Sequence, residues 1–70
     1  MDYLVVFEKA TDGTIWARVP DLSGCYSYGD TVEEARHNIK DAIELHIEGL
    51  KEEGLNIPEP SLFSAELIHV

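Results

Sequence analysis

Two spacings of hydrophobic residues divide the chain. Residues 2–8 are rich in β-branched and aromatic side chains and hold no breaker, which predicts a strand. Thr11-Asp12-Gly13-Thr14 supplies turn chemistry, Asp-Gly being a favoured pair for a two-residue hairpin. A second strand is expected over residues 14–19, ended by Pro20, which has no amide to give to a ladder. A loop over 21–24 and a short third strand over 25–28 follow.

After Gly29-Asp30 the period changes from two to three and four. Val32, Ala35, Ile39, Ala42, Ile43, His46, Ile47 and Leu50 form one apolar stripe of an amphipathic helix. Thr31 with Glu34 three positions on matches a capping box, and Glu33 and Glu34 put negative charge at the positive end of the helix dipole. Gly54 is placed to end the helix as a left-handed cap. Pro58 and Pro60 keep a connector extended, and residues 62–70 are expected as a last strand. The fold class is therefore α+β: one β-β-β-α-β domain over residues 1–70. It comprises an antiparallel three-stranded sheet plus a final strand, with one helix packed on one face.

A two-residue Asp12-Gly13 turn would pair Thr11 with Thr14, Glu8 with Ala17 and Val6 with Val19. Side chains alternate across a strand, so Tyr3, Val5, Phe7, Trp16 and Arg18 would then share the face that the single helix leaves open. Aromatic residues with arginine are typical of interface cores, and monomers seldom expose a large apolar patch. These five residues are the expected protein interface. A slip by one residue, from a longer turn at 10–14, would mix the two faces and still leave large apolar side chains uncovered.

Composition sharpens the picture. Five Lys or Arg against fourteen Asp or Glu give a net charge of -9. Phosphate contacts supply most of the affinity for nucleic acid, so this balance disfavours nucleic-acid binding and suits a basic protein partner. A 70-residue chain buries only about 60% of its unfolded surface, and such chains often gain stability by self-association, so a homodimer or higher homo-oligomer is expected. Cys25 is the only cysteine, which fits a reducing compartment, and no signal peptide is visible. The first strand's apolar run, residues 4–7, is far too short to cross a membrane. A cytoplasmic protein is expected.

Candidate chemistry is sparse. His37 and His46 lie nine apart on the predicted helix and form no i, i+4 zinc pair, and His69 has no ligand-spaced neighbour. Cys25 reads as a small core side chain rather than a nucleophile. Asp2, Glu8, Asp21 and Asp30 have no spacing that requires Mg²⁺. Gly24 and Gly29 lack the context of a phosphate-binding loop. Neither enzyme activity nor a cofactor or metal is expected.

The stretch Val19-Pro20-Asp21-Leu22-Ser23-Gly24-Cys25, followed by Gly29-Asp30-Thr31-Val32-Glu33-Glu34-Ala35, resembles the signature of HicB-like proteins, approximately v-P-D-L-x-G-c and then G-D-T-x-x-E-A. Trp16 before the proline and Ile57-Pro58-Glu59-Pro60 after the helix also fit. Read physically, Pro20, Asp21, Leu22, Gly24, Gly29, Asp30, Thr31, Glu34 and Ala35 are scaffold. Pro20 stops a strand, Gly24 and Gly29 allow turn conformations closed to other residues, and Thr31 with Glu34 caps the helix. The resemblance implies a domain likened to a reduced ribonuclease H fold. It also implies an antitoxin that binds and masks a small basic HicA-like toxin, an mRNA-cleaving ribonuclease. Many HicB proteins continue into a promoter-binding domain. No such segment follows here, so DNA binding is not expected. The alternatives are a stand-alone oligomeric interaction domain without a toxin and, least favoured, a metal-dependent nuclease.

Overall fold

A computed structural model describes all 70 residues. Strands β1 (Val6–Lys9), β2 (Ile15–Arg18) and β3 (Tyr26–Gly29) form an antiparallel sheet in the order β1-β2-β3, and one helix, α1 (Val32–Glu52), follows. The architecture is the small α+β domain expected, with one difference. Residues 62–70 form no strand: they run without a regular element, and every one of them is exposed. A strand needs a neighbour for its backbone groups, and within one chain this segment has none.

The first hairpin is offset by one residue from the expected pairing. Val6 faces Arg18, Phe7 faces Ala17, Glu8 faces Trp16 and Lys9 faces Ile15. The turn is the cause. The Ala10 amide donates to the Thr14 carbonyl and the Gly13 amide to the Ala10 carbonyl, so the loop is the three residues Thr11-Asp12-Gly13. Gly13 holds φ +91°, the left-handed residue that three-residue hairpin loops require. The Asp12 carboxylate accepts from the Thr14 amide at 2.9 Å, a local bond that selects the longer loop. Opposed residues share a face, so Phe7 and Ala17 lie on one side of the sheet, and Val6, Glu8, Trp16 and Arg18 on the other.

The proline-bearing motif between β2 and β3 is two consecutive turns. The Leu22 amide donates to the Val19 carbonyl, with Pro20 in the second position that suits its fixed φ. The Cys25 amide donates to the Leu22 carbonyl, with Gly24 at φ +78° in the third position. Leu22, shared by both turns, is driven into the core at 1% exposure. Gly29 corrects an expectation, because it does not adopt a positive φ. Its requirement is space: a Cβ there would meet the Ala35 amide nitrogen at 2.6 Å and the Glu34 Cβ at 2.9 Å.

Thr31 caps α1, its Oγ1 accepting from the Glu34 amide at 3.1 Å. At the other end the Gly54 amide donates to the Lys51 carbonyl and the Leu55 amide to the Leu50 carbonyl, with Gly54 at φ +70°. That is a Schellman termination. The helix lies mainly over β3 and then β2. The core between them consists of Ala17, Val19, Leu22, Cys25, Ala35 and Ile39, with Tyr3, Val5, Ile15, Ala42 and Ile43 packed around it. Only seven of the 70 residues are buried, a thin core for independent stability. The 21-residue helix spans roughly 31 Å, whereas a four-residue strand spans about 13 Å, so the helix outruns its sheet.

Candidate protein-binding face

The sheet face turned away from α1 carries Val6, Glu8, Trp16, Arg18, Tyr26 and Tyr28, placed there by the two registers. Trp16 is its centre. Its ring lies 5.0 Å from that of Tyr28, the directly opposed residue, and 5.9 Å from that of Tyr26 on the diagonal, both tilted by 37°. All three rings are open to solvent, at 40%, 57% and 61% exposure. The Arg18 Nε donates to Glu8 Oε1 at 2.8 Å beside them. An exposed pair of this kind adds little to stability, but it holds the guanidinium beside Glu8 on this face. The groove, of about 620 Å³, runs along β2 from Lys9 past Trp16 and Arg18 to Tyr26 and the turn at Pro20 and Gly24.

The five residues expected to share the open face are divided by the offset register. Trp16 and Arg18 are on it. Tyr3 and Val5 pack on the helix side against the core, and Phe7 is also there, with the Arg36 guanidinium carbon 5.8 Å from its ring centroid. Tyr26 and Tyr28 take their places on the open side. No face was assigned to them in the sequence, although Tyr26-Ser27-Tyr28 alternates and Cys25 reads as core, which is the pattern that points both rings outward.

Asp21 has a defined task. Its carboxylate accepts from the Ser61 amide at 2.9 Å, the Ser61 hydroxyl at 2.7 Å and the Leu62 amide at 3.0 Å. The Leu62 and Ser61 donors hold its carboxyl below the ordinary aspartate range. Nearby, the Tyr3 hydroxyl donates to the Pro58 carbonyl, and loss of solvent, with Glu59 and Asp21 close by, raises its pKa. Together these bonds latch the segment after α1 to the ends of β1 and β2. Asp30, by contrast, is exposed beside the helix cap.

The remaining reactive residue types are not assembled. Cys25 is a free, buried thiol whose pKa is raised by burial. His37 approaches only Asp41, at 3.5 Å on the helix surface. No three of the His, Cys, Asp and Glu side chains are grouped so as to hold a metal ion. No helix is long and apolar enough to cross a membrane.

Residues 3–68 match the family described as HicB-like antitoxin of bacterial toxin–antitoxin systems. The UPF0150 protein ssr1765 of Synechocystis is 49% identical over 61 residues, covering 87% of this chain and 77% of that protein. The UPF0150 protein Ta0767 of Thermoplasma acidophilum is 45% identical over 58 residues, covering 83% and 84%. A 14.9 kDa protein of Haemophilus phage HP1 is 46% identical over 59 residues, and the chain spans 44% of its length. With the match running through all three strands, the helix and most of the segment beyond, the chain belongs to the HicB-like antitoxin family.

Proposed function

We propose that this domain acts as an antitoxin by binding a small basic toxin of the HicA kind, an mRNA-cleaving ribonuclease, and masking its active site. The observation that carries the reading is the open sheet face, where Trp16, Tyr26 and Tyr28 stand solvent-exposed beside Arg18 on a chain of net charge -9. Rigid aromatic side chains around an arginine supply the anchors of a binding hot spot, and the acidic body attracts a basic partner. The family supports a toxin partner in general. The domain works without catalysis of its own. Asp21, the carboxylate a nuclease reading would recruit, is already committed to Ser61 and Leu62.

The test is co-expression with the product of the adjacent gene and co-purification, first with the natural chain and then with Trp16→Glu. Capture of a basic protein whose ribonuclease activity falls in the complex is the expected result. Failure to capture it, or capture unchanged by Trp16→Glu, overturns this assignment. We also propose that the domain self-associates, because its core is thin and residues 62–70 are fully uncovered.

A further inference from the structure

We propose that residues 62–70 form an arm exchanged between two copies of this chain, each arm pairing as a fourth strand along the free edge of β1 in the other copy. The inference rests on the self-association reading above and is independent of the toxin.

The arm has the properties of a strand without a partner. Beyond the latch at Ser61 and Leu62 it has no regular element, and Phe63, Leu67 and Val70 are 94%, 101% and 108% exposed. The radius of gyration is 13.2 Å, against about 11 Å for a compact chain of this length, and the long axis reaches 42 Å. Glu66 is the arm's one acidic residue, so the arm escapes most of the chain's self-repulsion. The family match runs through residue 68, which places most of the arm inside the shared domain.

The acceptor follows from which edge is open. At β3 the helix lies close, and the Asn38 side-chain amide donates to the Tyr28 carbonyl at 2.8 Å. The outer edge of β1 has no strand beside it, and alternate residues there present unpaired amides and carbonyls, the template used in strand addition. A chain's own arm does not fill its own edge. The latch holds the arm's root at Asp21, and residues 62–70 beyond it are exposed, form no strand and contain neither glycine nor proline for a tight reversal. A two-fold exchange gives both arms the same edge and closes the assembly at a dimer.

Sedimentation of the full chain, of residues 1–62, and of full-length Ala65→Pro and Glu66→Pro tests the proposal. Of two successive arm residues one amide must face the partner strand, so one of the two prolines removes a ladder bond. A dimer is expected for the full chain and a monomer for residues 1–62. At least one proline variant should show a dimer dissociation constant raised roughly tenfold or more. A second arm of the test places Glu8→Cys and Ser64→Cys in a Cys25→Ala background, where oxidation is expected to give a covalent dimer. A dimer indifferent to truncation and to both prolines overturns arm exchange while leaving self-association standing. A full-length monomer overturns both. A disulfide closed within one chain shows fold-back and overturns the exchange, as does a monomer whose arm becomes protected only by the basic partner. Capture of that partner by the same samples reports separately on the toxin assignment.

Discussion

Single residues in the turn motifs have separable physical tasks. Gly29 is required because α1 starts against it, so Gly29→Ala must push the first helical turn away. We expect a loss of about 1–3 kcal/mol, which thermal unfolding of a domain this small reports as several degrees per kcal/mol. Asp21 acts on the latch instead of the core. Its folded-state carboxyl titrates below the ordinary value of 3.8, so the latch is fully present above that value and is lost as pH falls through the lowered one. The amide resonances of Ser61 and Leu62 should therefore shift together with a midpoint below 3.8, and a midpoint at or above it would contradict the latch. Cys25, at 5% exposure, should react with a thiol reagent at least tenfold more slowly in the folded protein than in denaturant, as a buried thiol does. Equal rates would mean that the turn motif opens readily.

At the scale of elements, the hairpin decides which aromatic side chains are available. Phe7→Glu and Trp16→Glu make the same chemical change on opposite faces of one sheet. Phe7→Glu is expected to lower stability, because it removes packing on the helix side and a ring that Arg36 approaches. Trp16→Glu is expected to leave the melting temperature nearly unchanged while weakening partner binding by about 2 kcal/mol or more, roughly thirtyfold. Loss of binding with unchanged stability in both variants would mean that the register is the one first expected from Asp12-Gly13, which puts both rings on the open face. The helix was legible almost to the residue because Thr31 and Gly54 mark it with short-range chemistry. The hairpin was legible in place but not in phase. Asp-Gly suits both a two- and a three-residue loop, and the Asp12–Thr14 bond that favours the longer one is a three-dimensional fact. A final strand was expected from the composition of residues 62–70, but pairing depends on a neighbouring strand, and none lies beside that segment. Asp21 was read as part of a turn, since nothing in sequence links it to Ser61.

For the whole molecule, a net charge of -9 acts at a distance. Raising ionic strength from about 0.05 to 0.5 M should slow association with a basic partner at least tenfold and alter dissociation far less. Stopped-flow mixing separates the two, and a rate indifferent to salt would remove charge from the account of recognition. The latch has a consequence in time. Asp21 and Ser61 are separated by 40 residues, so their bonds close a long loop after the hairpin and helix have formed from nearer contacts. Interactions made late in folding slow unfolding and scarcely change the folding rate. Asp21→Ala should therefore leave refolding at its natural speed and let the chain come apart faster, so that the latch sets the native state's lifetime rather than how quickly it is reached.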